Sequence, residues 1–167
     1  FFPEGAANVP AEAASLYYVA DRIYALPEMR KIIDSGKNLV LDRYVQANMI
    51  HQGGKIRDKS ERERYYDDLN FVEHKFGKLP VPDIHLFLNI GLETSIELAS
   101  RRSEESSIRK DGHENDPNHL RNAREAALEV ADIYGYQVID YEPFVNFEDP
   151  ERGKREAAAV SYTHLTL

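Results

Sequence analysis

An acid, a base and an aromatic residue follow one another at the end of an apolar run, as Asp42-Arg43-Tyr44 after residues 39–41. Such a run predicts a buried strand, and open α/β sheets bind ligands beside the carboxyl ends of their parallel strands. A carboxylate there can hold a metal ion or its waters, and a guanidinium can bind a phosphate through two parallel hydrogen bonds. For the pair alone, the alternative is an ordinary ion pair at a strand end.

Further arginines lie in separate segments of the chain. Arg22 follows Asp21 in a predicted helix, and a third basic cluster surrounds a polar loop and consists of Arg101, Arg102, Arg109 and Lys110. Arginines that converge above a parallel sheet suit the charge of a phosphoryl group in transfer. For any single arginine the alternative is a solvated surface charge, which is our interpretation of Arg62 and Arg121.

The elements that must position these residues alternate between helix and strand. Periodicity, caps and breakers predict helices over residues 11–26, 27–34 (begun by Pro27), 60–76 (with a Ser60/Glu63 capping box), 93–102 and 117–134, and strands over residues 38–42, 84–90 and 136–140. Residues 45–59 are expected to begin as a helix and then to form a loop around Gly53-Gly54. This order predicts an α/β protein with a parallel sheet in one domain, residues 1–156. Residues 103–115 lack a period and are expected to form a mobile loop.

Two of these helices carry an apolar face that should be buried. In the first, the face consists of Ala14, Tyr17, Tyr18 and Ile23. In the helix over residues 60–76, it consists of Tyr66, Leu69, Val72 and Phe76, and Gly77 should end the helix.

Composition and charge exclude several classes of function. The 167 residues carry a net charge of -8, which argues against non-specific binding to nucleic acid. No apolar run approaches the ~20 residues that cross a membrane, and the lack of cysteine fits a cytoplasmic protein. Residues 157–167 have no turn, cap or period that links them to the rest, and we expect an unstructured, foreign tail there.

Five segments, in order, resemble a known family: residues 14–22, 41–44, 48–55, 79–88 and 110–116. Over roughly residues 8–142 the chain is similar to thymidylate kinases of the P-loop nucleoside-monophosphate kinase superfamily. The resemblance implies a three-layer, parallel-sheet kinase fold. It also implies phosphorylation of dTMP to dTDP with ATP as donor and Mg²⁺ as cofactor, by a cytoplasmic homodimer.

The resemblance implies roles at the base of the acceptor nucleotide. Tyr18 would stack on the thymine ring, and Arg22 would contact either the thymine or the acceptor phosphate. Asn48 and Gln52 would hydrogen-bond the base, because an amide can both donate and accept.

The resemblance also implies roles at the phosphates. Arg43 would hold the phosphate of dTMP, and Asp42 would organise Mg²⁺ and its waters. Arg102 and Arg109, from a lid over about residues 103–115, would contact the ATP phosphates. Glu114 would lie near the nucleotide sugar or the metal.

One motif of that superfamily is missing from the sequence. The phosphate-binding loop reads Gly-x-x-x-x-Gly-Lys-Ser/Thr, whereas the Gly-Lys pairs at 36, 54, 77 and 153 are never followed by Ser or Thr. We therefore expect the first strand, this loop, the first helix and the second strand to lie upstream of Phe1, and this chain alone to be destabilised and inactive. The alternatives are another deoxynucleoside or nucleoside-monophosphate kinase, or a non-catalytic nucleotide-binding remnant.

Overall fold

The computed structural model describes residues 9–105, 117–150 and 152–156. In chain order the elements are α1 (Ala11–Asp34), α2 (Val45–Gly53), α3 (Lys59–Asn70), a π-helix (Phe71–Phe76) that continues α3, β1 (Leu86–Asn89), α4 (Leu92–Glu105), α5 (Pro117–Ile133), β2 (Gln137–Asp140) and a 3₁₀-helix (Glu142–Phe144).

The two strands pair in parallel, with Leu86 opposite Gln137 and Asn89 opposite Asp140. Parallel strands need a long crossover between them, and α4 and α5 lie in that connection. The predicted strands over residues 84–90 and 136–140 are thus confirmed with shorter bounds, as is the α/β class in its coarser form, a helix-rich protein with a small parallel sheet.

The strand predicted over residues 38–42 is wrong. These residues have no strand pairing with any other described segment. Val40 is 93% exposed and Leu41 is 42% exposed, so the apolar run is not buried. A strand requires a neighbour that accepts and donates its backbone hydrogen bonds, and sequence pattern alone does not supply one.

Helix α1 continues through Pro27, so the prediction of two helices is wrong. The ring of Pro27 lies on the exposed side of the helix. Ile23 and Leu26 before the proline, and Met29 after it, all pack against the same core. Their burial offsets the hydrogen bond that proline cannot donate.

Two predicted helix faces are partly wrong. Helix α1 buries Ala11, Ala14, Ser15 and Val19, whereas Tyr17 and Tyr18 are exposed. Beyond α3, Phe76 is 73% exposed and Glu73 is fully buried. The π-helix explains the exposure of Phe76: the amide of Gly77 donates to Val72 O, five residues back, so residues at this turn leave the face that α-helical spacing assigns to them. Glu73 lies four residues after Leu69, on the buried face by ordinary α-helical spacing, and only its acidic character argued for the solvent side.

The start of α3 also differs from the prediction. Asp58 is the N-cap, and its Oδ1 accepts from the amide of Glu61 at 2.8 Å. The capping box predicted at Ser60 and Glu63 is therefore wrong by two residues. Helix α4 extends to Glu105, past the predicted end at Arg102, so the start of the predicted loop is helical.

Helix α2 lies at the centre of the packing, in contact with α1, α3 and α5. Its Val45 and Met49 join Tyr66, Leu69 and Val130 in the apolar core. At its end, a Cβ on Gly54 would lie 3.1 Å from the backbone nitrogen of Ala123, so glycine permits the close approach of α5. Another face of α2 buries two polar residues, Asn48 and Gln52. None of the helices described here is both long and apolar enough to cross a membrane.

Candidate functional site

Five polar side chains meet where α1 and α2 pack against α3 and the π-helix that continues it. This polar cluster consists of Ser15, Arg22, Asn48, Tyr65 and Glu73. Glu73 is 0% exposed and the Arg22 side chain 13% exposed, and the other three are buried. Burial of this many polar groups is costly unless each finds a partner, so the arrangement needs an explanation beyond packing.

Glu73 binds the guanidinium of Arg22 through both of its carboxylate oxygens. Arg22 Nε donates to Oε2 at 2.9 Å, and Arg22 Nη2 donates to Oε1. This leaves Nη1 of Arg22, which has no acceptor among the described residues, to donate elsewhere. Sequence reasoning missed Glu73; the available signal was an acid placed between apolar residues on the inward side of a helix.

Asn48 connects α2 to the same carboxylate. Its Nδ2 donates to Ser15 O at 3.3 Å and to Glu73 Oε1 at 3.4 Å. Its Oδ1, however, is buried without a hydrogen-bond partner among the described residues, and so is Oε1 of Gln52, one turn further along the same face. A buried acceptor left unpaired costs about 1–3 kcal/mol. Two of them on one helix face suit a ligand that supplies an N–H donor.

Two tyrosines brace this region and stay protonated near neutral pH. Tyr65 contacts Ser15 Oγ through its hydroxyl, and burial raises the pKa of Tyr65 to about 12. Tyr44 donates from its hydroxyl to Pro80 O at 3.1 Å, and burial raises the pKa of Tyr44 to about 12. Neither phenol can act as a base at physiological pH, so their role here is to hold the chain in place.

Asp42 and Arg43 lie just before α2, on the surface. They form no ion pair with each other or with any other described residue, so the interpretation as an ordinary ion pair is wrong. Arg43 has a φ of 60°, in the left-handed region that side chains rarely adopt. The buried Tyr44 that follows anchors this turn. Both charges remain available to a ligand.

The structure thus brings some of the predicted site residues together. Arg22 and Asn48 meet at Glu73, and Gln52 shares the face of α2 with Asn48. Tyr18 is 42% exposed and lies one helical turn before Arg22 on α1. The other three, the Arg102 side chain, Arg109 and Glu114, lie outside what the structure describes.

A second buried carboxylate–guanidinium pair corrects the interpretation of Arg62. Its Nε and Nη2 donate to Glu129 at 2.6 and 2.5 Å, and its Nη1 donates to Ile56 O at 2.7 Å. Arg62 is 7% exposed, so it is not a solvated surface charge. Hydrogen bonds from Arg62 lower the pKa of Glu129. This pair ties α3 to α5 and shares no residue with the polar cluster.

Within residues 9–105, 117–150 and 152–156, no group of three or more His, Asp or Glu side chains could hold a metal ion. A single carboxylate such as Asp42 therefore needs a ligand's phosphates to complete a Mg²⁺ site, which is how this ion usually binds.

Comparison with known proteins gives a consistent result. Residues 5–146 match the family model described as thymidylate kinase. The chain is 25% identical over 126 residues to a thymidylate kinase of Limosilactobacillus fermentum, an alignment that covers 75% of this chain and 55% of that protein. The chain therefore spans little more than half the length of this relative.

Proposed function

The chain belongs to the thymidylate kinase family, as its sequence predicts, and we propose that it forms the acceptor-nucleotide half of a dTMP kinase site. The complete protein would transfer the γ-phosphoryl group of ATP to dTMP and release ADP and dTDP. Such transfer needs no covalent enzyme intermediate, and catalysis rests on positioning and on stabilisation of charge.

The observation that carries this proposal is a pair of buried amide oxygens, Asn48 Oδ1 and Gln52 Oε1, that find no hydrogen-bond donor in the described part of the chain. The edge of a thymine presents one N–H donor between two carbonyl acceptors. The amide oxygens of Asn48 and Gln52 can share that N–H in a bifurcated hydrogen bond, and Nη1 of Arg22 can donate to a neighbouring carbonyl. The exposed ring of Tyr18 supports a stacking role against the base.

Charge divides the two arginines between base and phosphate. Glu73 neutralises Arg22 and occupies one edge of its guanidinium, which favours an uncharged acceptor such as a base carbonyl. Arg43 keeps its full charge on the surface, which favours the phosphate of dTMP. The sequence left open whether Arg22 contacts the thymine or the acceptor phosphate, and the proposal is that it contacts the thymine.

The exposed carboxylate of Asp42 has no ion-pair partner within the described ranges and could supply one ligand to a magnesium ion that the phosphates of ATP complete. When bound with ATP, Mg²⁺ would neutralise charge on the phosphates. Arg102 and Arg109 for the ATP phosphates, and Glu114 near the sugar or metal, remain predictions. So do the upstream phosphate-binding loop, the three-layer sheet, the homodimer and the cytoplasmic location.

Binding to the 167-residue chain tests the proposal without requiring catalysis. In calorimetry we expect thymidine and dTMP to bind more tightly than deoxycytidine or dGMP, and Gln52→Leu to weaken thymidine by about tenfold. Gln46→Leu is the matched control, because this amide lies on the other side of α2 and contacts His85 at 2.8 Å. Equal binding of all four compounds, or equal losses in both variants, would refute it.

The same panel separates the alternatives. Preference for another base would assign the chain to a different nucleoside-monophosphate kinase. Restoration of the upstream segment then distinguishes an enzyme from a binding remnant, since only an enzyme would form dTDP from ATP and dTMP.

A further inference from the structure

We propose that Glu73 is a positioning residue for recognition of the base, one that orients Arg22 and Asn48 and sets their charge. This role rests on the proposed function, since it concerns the same site. Glu73 itself would contact no substrate, because it is fully buried behind both of its partners.

The geometry makes Glu73 the common partner of two helices. From α1, Arg22 donates Nε to Oε2 at 2.9 Å and Nη2 to Oε1. From α2, Asn48 donates Nδ2 to the same Oε1 at 3.4 Å. A bidentate carboxylate fixes the plane of a guanidinium. The direction in which Nη1 of Arg22 points is therefore set from the π-helix that continues α3, an element to which neither partner belongs.

The local backbone is built to deliver this side chain inward. Glu73 lies in the π-helix Phe71–Phe76, and single π-helical turns often occur at functional sites. Immediately after it, a Cβ on Gly77 would lie 2.8 Å from Glu73 O and 3.0 Å from Ile23 Cδ1. Glycine thus lets this turn pack directly on α1, one residue along the helix from Arg22.

The carboxylate also decides which end of the Asn48 amide faces the ligand. A carboxylate accepts and cannot donate, so the NH₂ group of Asn48 must face Glu73. Ser15 O, also an acceptor, holds the same NH₂ group at 3.3 Å. The amide oxygen is therefore left as the ligand-facing atom, and it suits an N–H such as that of thymine. A cytosine ring presents an unprotonated nitrogen at the equivalent position and would be refused.

A glutamine at position 73 would remove this constraint. Its own NH₂ group can face Asn48 Oδ1, so the Asn48 amide can rotate and present NH₂ to the ligand. The same change leaves Arg22 with its full charge and one less fixed hydrogen bond. Glu73→Gln should therefore lower selectivity for thymidine over deoxycytidine as well as affinity.

A purely structural pair makes a different prediction, and the chain contains one as a control. Arg62 and Glu129 form the same bidentate contact between α3 and α5. Glu129→Gln should lower stability and leave nucleotide selectivity unchanged.

The test compares wild type, Glu73→Gln, Glu73→Asp and Glu129→Gln by calorimetry with thymidine and deoxycytidine, and by NMR of the arginine Nε–H groups without ligand. The signal that disappears in Arg22→Lys is assigned to the Nε–H of Arg22. We expect Glu73→Gln to weaken thymidine by about tenfold, to reduce the thymidine/deoxycytidine ratio and to speed exchange of the Arg22 Nε–H. Glu73→Asp keeps the charge, so its thymidine affinity and its thymidine/deoxycytidine ratio should lie between those of wild type and Glu73→Gln. This variant provides the test if Glu73→Gln fails to fold.

The outcomes separate this proposal from the proposed function. A wild-type chain that binds no thymidine refutes the function and this role together. A wild-type chain that selects thymidine, with an unchanged ratio in both Glu73 variants or an equal change in Glu129→Gln, refutes only the role of Glu73.

Discussion

Replacement of Asn48 by aspartate should make the stability of this protein depend strongly on pH. The substitution is nearly isosteric and puts a carboxylate oxygen where Nδ2 now lies, 3.4 Å from Glu73 Oε1 and 3.3 Å from Ser15 O. At an effective dielectric constant near 20, two unit charges at this distance repel by about 5 kcal/mol. Arg22 offsets part of this repulsion, so we expect the variant to lose about 3 kcal/mol at pH 8.

A proton relieves the repulsion, which fixes the sign of the pH dependence. A loss of about 3 kcal/mol corresponds to a carboxyl pKa raised by about 2 units in the folded state. Below the pKa of the unfolded state, about 4, the variant and wild type should have the same free energy of unfolding. The loss in the variant should grow between about pH 4 and about pH 6, the raised pKa of the folded state, and stay constant above. The protonated acid can also donate to Glu73, as the amide does.

Urea unfolding followed by circular dichroism at about pH 4, 6 and 8 measures this difference. Asn38→Asp is the control, because Asn38 is exposed and its replacement should change stability little at any of these pH values. A constant difference between Asn48→Asp and wild type across the range would show that Asn48 does not face a buried carboxylate. The reasoning behind the polar cluster would then fail.

Three further changes probe the scaffold by the same unfolding measurement. Glu129→Gln should lower the free energy of unfolding by about 2 kcal/mol at pH 7. Arg62 lowers the pKa of Glu129 in the folded state, so the stabilisation by this pair is fully present above the ordinary carboxyl pKa of 4.5. It is lost as pH falls through the lower pKa of the folded state. A difference that persists in strong acid would contradict this. Burial lowers the pKa of His85 from 6.5 in the folded state, so the free energy of unfolding of wild type should fall as pH falls below 6.5. His85→Phe should lack this part of the pH dependence. Equal pH dependence in wild type and His85→Phe would refute the prediction. Gly54→Ala puts a Cβ 3.1 Å from the Ala123 nitrogen and should cost about 1–3 kcal/mol, whereas an unchanged midpoint would show that α2 and α5 can separate freely.

The sequence predicts well those elements whose signals are local. Helix α5 begins at Pro117 and ends before Gly135, whose φ of 66° requires the conformational freedom of glycine. Strands β1 and β2 form from apolar runs, and each has the other as its pairing partner. Residues 38–42 carry an equally clear pattern and do not form a strand, because pairing is a property of two segments and the sequence of one cannot provide it.

Glu73 shows why the site was harder to predict than the fold. An acid in a helix is normally counted to the solvent side, and α-helical spacing from Leu69 assigns Phe76 to the core. The same spacing also places Glu73 on the inward face, where it is fully buried, whereas the π-helical turn moves Phe76 off that face and leaves it 73% exposed. The convergence of Arg22 with Asn48 followed from the resemblance to a family, whereas the carboxylate that joins them became visible only in three dimensions.

The two halves of the proposed acceptor site rest on different parts of the fold. Arg22, Asn48 and Glu73 lie on helices that pack on one another around α2, and the sheet contributes none of their hydrogen bonds. Arg43 instead follows an extended apolar segment that lacks a paired neighbour among the described residues and leaves Val40 93% exposed. A cluster held by hydrogen bonds between packed helices keeps its geometry without help from the sheet, whereas a residue at the end of an unpaired segment is held by fewer contacts. Base recognition should therefore be the stronger property of this chain, and the phosphate should add little to the affinity until residues 38–42 are paired.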